Sequence, residues 1–174
     1  SDTWNSFTDY LDSKFGFTYG GRLDYCLNFD RNDSTANVLF GTLAGKGKDM
    51  GSFYSTLIPG DYYCVNFDVG TDGSVHPNGN ANDVRSNQSA ITKQGMAVKW
   101  SIKTVLEATG RDKVVLMGHS MGGLASREYL QNPALWQADG DHHVAKLVTT
   151  GTPHGGSNTT SYGLPIGGLN EQSE

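Results

Sequence analysis

The stretch KVVLMGHSMGGLASREYL, residues 113–130, constrains the fold more than any other part of the chain. KVVLM is a short apolar run of β-branched and aliphatic residues, and Met121, Leu124, Ala125 and Tyr129 then fall on one helical face. A strand is therefore expected to reach Ser120, turn sharply and continue as a helix. The Gly-x-Ser-x-Gly pattern alone says little, since random placement in a chain with 23 glycines produces one roughly a quarter of the time. The strand before it and the helix after it are what give it meaning.

Chemistry accounts for the glycines. A serine at the apex of such a turn is held in a strained backbone conformation, and strand and helix approach closely. Cβ atoms at positions 118 and 122 are expected to collide there, which explains Gly118 and Gly122. The strain exposes the Ser120 hydroxyl as a candidate nucleophile. The same turn aims the backbone N–H of Met121 at the oxygen that becomes negative when a carbonyl is attacked, and one such donor is worth about 3 kcal/mol.

A serine nucleophile needs a base. His119 adjoins Ser120, but neighbours at such an apex point away from each other, so His119 reads as structural. His142 and His143 lie in the polar loop NPALWQADGDHH and have no companions at ligand spacing. They read as surface residues, and no metal site is expected. His154 stands close after a strand and is the remaining candidate for the base.

The rest of the chain supplies a frame for this turn. TWNSFTDYLDSKFG places Trp4, Phe7, Tyr10, Leu11 and Phe15 at helical spacing ahead of Gly16, so the chain opens on an amphipathic helix. RLDYCLNFDRN alternates Leu23, Tyr25, Leu27 and Phe29, and DYYCVNFDVG alternates Tyr63, Val65, Phe67 and Val69, which predicts two strands. Their shared Tyr-Cys-x-Asn-Phe-Asp pattern would set Cys26 and Cys64 on matching faces of parallel neighbours. That leaves open a disulfide, a polar site, or simply two similar strands. Residues 31–60 hold a glycine cluster without the Lys-Ser/Thr ending of a phosphate-binding loop, and read as an insertion with turns. GTDGSVHPNGNANDVRSN reads as an exposed loop. Ile91, Val98, Ile102, Val105, Leu106 and Thr109 then keep helical spacing until TGRD ends the helix, and VAKLVTTG is a further short strand. Strand, long helix, strand, helix, strand predicts parallel crossovers: an α/β fold, mostly a parallel sheet flanked by helices.

With 174 residues, one domain spanning 1–174 is expected. The net charge of −5 is spread without a run of Lys or Arg, which excludes a nucleic-acid partner. No apolar stretch approaches the roughly 20 residues that span a bilayer, and SDTWNSFTDYLDSKFG lacks the basic-then-apolar order of a signal peptide. Two cysteines are too few for a cysteine-based metal site. Richness in Asn, Gly, Ser, Thr and Tyr points to a secreted protein; the sequons at Asn32, Asn87 and Asn158 add little, because such a composition makes them by chance.

On GHSMGGLASREYL, TGRDKVVLM, VAKLVTTGTPHGGS and DTWNSFTDYL, the chain resembles the α/β-hydrolases, and more narrowly the bacterial lipases and inositol-deacylase-like esterases. The resemblance covers most of residues 1–30 and 84–157. It implies a serine hydrolase of carboxylic esters, a lipase or esterase of lipid metabolism, working through an acyl-enzyme on Ser120 without a cofactor. The implied partner is a small-molecule or lipid ester, with contact at a lipid interface. An amidase or peptidase of the same fold is the alternative from within hydrolases, and a non-catalytic binding protein on a hydrolase scaffold is the alternative from outside them.

The resemblance also implies what the chain lacks. In the family the opening helix follows a strand ending in His-Gly, which supplies a second oxyanion N–H, and the acid and histidine come well after the TPHGG strand. Residues 158–174 contain Glu171 and Glu174 and no histidine, and the family's TPH segment is structural, which argues against His154. The expectation is a domain incomplete at both ends, its acid and base outside these residues, with a sheet edge or face left uncovered. GLPIGGL is apolar and flexible enough to begin a lid, although an ordinary loop satisfies the same composition.

Overall fold

The computed structural model describes residues 2–25, 27, 57–67 and 89–156. Cys26, Phe29, Val69, the three sequon asparagines, most of the glycine-rich insertion, the following polar loop, and the tail with Glu171, Glu174 and GLPIGGL lie outside the described residues.

The chain opens on the expected helix, α1 (Asp2–Tyr10), which continues as a wider π turn over Leu11–Phe15. Gly16 ends it at φ 65°, with its N–H donating to the Asp12 carbonyl at 3.0 Å. The apolar stripe is narrower than the sequence suggested. Trp4, Phe7 and Leu11 are half-buried, whereas Tyr10 and Phe15 are 49% and 58% exposed. After the reversal at Gly16 these two rings meet each other edge to face at 5.5 Å, and Phe15 meets Phe17 at 5.6 Å, rather than a core.

Strands β1 (Tyr19–Asp24) and β2 (Tyr62–Asn66) pair in parallel. β1 begins earlier than predicted, but the alternation holds: Leu23, Tyr25 and Leu27 are all buried. In β2, by contrast, Val65 faces outward. The register sets Cys64 beside Arg22 and Asn66 beside Asp24, so the two Tyr-Cys-x-Asn-Phe-Asp motifs are not aligned. Hydrogen bonding fixes the offset: the Tyr25 N–H donates to the Asn66 carbonyl at 2.8 Å, and the Tyr25 ring faces Phe67.

Helix α2 (Ile91–Thr109) is the wall between two apolar clusters. Ala97, Trp100 and Val105 pack on Leu23, Tyr25 and Leu27; Val98, Ile102 and Leu106 face the second cluster. Each fully buried aliphatic side chain of this kind contributes about 1.5–3 kcal/mol. The buried Ser101 hydroxyl lies 2.8 Å from both the Ala97 carbonyl and the Tyr25 hydroxyl, a polar tie inside the first cluster. As TGRD suggested, α2 ends at Gly110, φ 66°, whose N–H donates to the Leu106 carbonyl at 2.8 Å.

The second cluster belongs to a strand-helix-strand unit. It comprises β3 (Val114–His119), α3 (Met121–Gln131), a 3₁₀ turn over Pro133–Leu135 and β4 (Val144–Thr150), with β3 and β4 parallel. Parallel strands joined by helices make this an α/β fold, and among the described residues the strands form two parallel pairs. On one face of β3–β4, Val114, Leu116 and Val144 pack with Ile102, Ala125 and Tyr129. On the other, Val115, Met117 and Val148 are 57%, 45% and 40% exposed, an apolar face that α1 meets at His119.

Candidate active site at the β3–α3 turn

Ser120 is the single residue between β3 and α3, with φ 51° and ψ −124°. A side chain at positive φ costs of order 1–3 kcal/mol and persists only where its surroundings over-determine it. Here they do. The Ser120 N–H donates to the Thr150 carbonyl of β4 at 3.0 Å, and the Gly123 N–H donates back to the Ser120 carbonyl at 3.1 Å. A Cβ at position 118 would lie 2.5 Å from the Gly123 Cα and 2.6 Å from its nitrogen, so strand and helix meet at backbone distance. Ser120 is half-buried, and among the described residues its hydroxyl has no hydrogen-bond partner.

The other glycine is Gly123, not Gly122. A Cβ at 122 would meet open space, whereas one at 123 would run into the Thr152 side chain, with the Thr152 Cβ only 2.9 Å away. The expected collision at 122 is thus corrected: α3 turns position 122 outward and 123 onto the segment that follows β4. Thr152 is a site residue that sequence reasoning missed. The second glycine of MGG hinted at crowding, but nothing in the sequence names the neighbour.

Met121 is the first residue of α3, so its N–H belongs to the first turn, where no intrahelical acceptor is available. Its side chain turns toward α2, with Sδ 3.7 Å from the Gln94 amide nitrogen. The helix dipole adds partial positive charge at this end.

The histidines divide between the two ends of the strands. His119 projects from the more exposed face of β3 and packs edge to face on Trp4 of α1 at 6.4 Å, beside Gly151. His154 is exposed; its Nε2 lies 3.0 Å from the Thr149 hydroxyl, and its carbonyl accepts from Arg127 Nη1 at 3.1 Å. With Ile91, Leu124, Arg127 and Glu128 it lines a groove of about 380 Å³ on the flank of α3, which does not reach Ser120. No hydrogen bond joins His154 to Ser120, so the structure does not bring these two candidates together.

His142 and His143 stand at the far end, where β4 begins. Both lie at the surface, as their polar loop suggested, but half-buried rather than fully exposed. His142 packs edge to face on Trp136 at 5.3 Å and accepts the Val144 N–H on Nδ1 at 2.9 Å. The His143 side chain is only 18% exposed, because both ring nitrogens are tied down. The fifth histidine, His76, lies outside the described residues. Among the described residues no three His, Cys, Asp or Glu side chains gather as a metal-binding group, and no helix is long and apolar enough to cross a membrane.

Comparison with known proteins agrees with this arrangement. A family model described as alpha/beta hydrolase fold matches residues 71–165, which contain α2, β3, α3 and β4. Over 56 residues the chain is 50% identical to a triacylglycerol lipase of Pseudarthrobacter phenanthrenivorans and 50% identical to one of Burkholderia plantarii. Those segments cover 32% of this chain but only 15% and 14% of the two lipases, so the chain matches a small part of their length. Because the family match spans more than half of the sequence and the parallel strand-helix-strand unit carries it, the chain belongs to the alpha/beta hydrolase fold family.

Proposed function

We propose that this hydrolase cleaves carboxylic esters through an acyl-enzyme on Ser120. One observation carries the reading: a serine at φ 51° on a strand-to-helix turn, its hydroxyl without a partner among the described residues. Oγ attacks the ester carbonyl carbon and gives its proton to a base. The carbonyl oxygen becomes an oxyanion that accepts the Met121 N–H. The carbon–oxygen bond to the alcohol breaks, the leaving oxygen takes the proton, and water then releases the acid from Ser120 by the same steps in reverse. The base and its acid partner are proposed to lie outside the described residues.

A lipid ester is the proposed substrate class. The partial likeness to triacylglycerol lipases supports it, as do the exposed rings of Tyr10, Phe15 and Phe17, which suit contact with a lipid interface. An extracellular setting belongs to the same proposal and rests on composition alone. The test is turnover of p-nitrophenyl esters beside the matching anilides. Ester turnover that Ser120→Ala abolishes is the expected result. Preferential anilide turnover would move the chain to the amidases, and ester turnover surviving Ser120→Ala would remove the serine mechanism.

A further inference from the structure

The turn before β4 contains an arrangement unrelated to the chemistry at Ser120. His143 sits at φ 54°, a strained conformation for a side-chain-bearing residue, and its ring bridges two segments. Nδ1 lies 2.6 Å from the backbone carbonyl of Asp112, just ahead of β3, and Nε2 lies 2.8 Å from a carboxylate oxygen of Asp139. Both partners are acceptors. A neutral imidazole carries one N–H and one lone pair, so it can satisfy only one of them; the imidazolium, with two N–H groups, satisfies both.

We propose that His143 is a proton-operated latch: as imidazolium it clips the turn at Asp139–Asp141 to the entry of β3, and loss of one proton opens the Asp139 side. The two contacts are unequal. The Asp112 carbonyl is part of the backbone leading into β3, and the adjacent Val114 N–H donates to the His143 carbonyl at 2.9 Å, so this side is held by the strand pair. The Asp139 side chain is 59% exposed and can turn to water, so it is the partner that leaves.

Release of Asp139 has a defined local consequence. Its other carboxylate oxygen accepts the Asp141 N–H at 3.1 Å, and Asp141 in turn accepts the His143 N–H at 2.8 Å. Asp139, Asp141 and His143 therefore form a closed ring of contacts that the imidazolium completes. The other flank has a tie of its own, independent of the His143 ring. The Tyr129 hydroxyl donates to the His142 carbonyl at 2.9 Å, and burial raises the Tyr129 phenol above its ordinary range. The two neighbouring histidines thus play opposite parts, His142 accepting on Nδ1 and His143 donating from both nitrogens.

The charged and titratable groups around the latch are Asp139 and Asp141 on the turn, Asp112 and Lys113 ahead of β3, His142 beside it and Tyr129 from α3. The Asp112 carbonyl, then the Asp139 carboxylate, hold the His143 imidazolium above its usual titration range. Hydrogen bonding by the Asp141 N–H, then by His143, holds Asp139 below the usual carboxylate range. The signs follow. A raised imidazole contributes fully below about 6.5 and loses its contribution as pH rises through its folded value; Asp139 contributes above about 3.8 and loses it as pH falls. The latch is closed between these limits and opens on the alkaline side.

The experiment is an NMR titration of the ring nitrogens of the full chain, with amide exchange read on the same samples and corrected for the intrinsic pH dependence. The His143 midpoint is expected above 6.5, the ordinary value, and lower in Asp139→Asn, which leaves the imidazole and the strands in place. Protection of the Asp141 amide is expected to fall severalfold as His143 loses its proton, while the Ser120 amide, bonded to Thr150 at the other end, keeps its protection. A midpoint at or below 6.5, a midpoint that Asp139→Asn does not lower, or Asp141 protection indifferent to the titration would each overturn the proposal.

Discussion

Gly20 in β1 and Gly118 in β3 occupy comparable places, each buried in one of two parallel strand pairs and each pressed by a neighbour. What presses them differs. Against Gly118 stands the backbone of α3 at Gly123, which cannot move without moving the whole turn. Against Gly20 lies the far end of the Tyr63 ring, whose hydroxyl accepts from the Gly60 N–H at 2.9 Å and donates to the Ile58 carbonyl at 2.7 Å. One glycine lets two backbones meet and so shapes the turn at Ser120; the other leaves room for an aromatic ring. The same residue type in the same kind of strand is thus bound by constraints of different stiffness.

Substitutions at four glycines put this contrast into numbers. Gly118→Ala should cost about 3 kcal/mol or more in chemical denaturation, because its methyl group meets immovable backbone. Gly123→Ala should be severe too, but partly relieved when combined with Thr152→Ala, which removes the Thr152 hydroxyl and methyl while leaving its Cβ at 2.9 Å. Gly20→Ala should cost about 1–2 kcal/mol, the worth of the hydrogen bonds that Tyr63 gives up when its ring swings away. Gly122→Ala should lie within about 0.5 kcal/mol of neutral or be stabilising by up to about 1 kcal/mol, because alanine favours a helix and nothing stands in its way. Equal effects at 118 and 122 would remove the distinction between crowded and open glycines on which the description of the turn depends.

The turn at Ser120 was legible in the sequence because its parts are contiguous: KVVLM makes the strand, the serine the apex, and Met121 to Tyr129 the helix. The two ends of α2 were legible for the same reason. What the sequence concealed are relations between distant residues. Which glycine of MGG is crowded depends on Thr152, which lies beyond the next strand. The offset of β1 on β2 depends on where Tyr25 and Asn66 bond, and a repeated motif suggested an alignment that the hydrogen bonds refuse. DGDHH looked like a solvated loop because it is polar throughout. Its polarity is instead consumed locally, with Asp139 and Asp141 binding the very residues that follow them. His154 points the same way: its position after β4 made it a candidate base, yet its ring is held by Thr149.

The central claim is that the strained turn presents Ser120 as a nucleophile, and the most direct test is covalent. The protein bearing this chain is treated with a fluorophosphonate, digested, and its peptides are mapped by mass spectrometry, with Ser120→Ala in parallel. The account predicts one adduct on the peptide containing Ser120, absent from the variant. An adduct on a different serine, or none on the native protein, would contradict it.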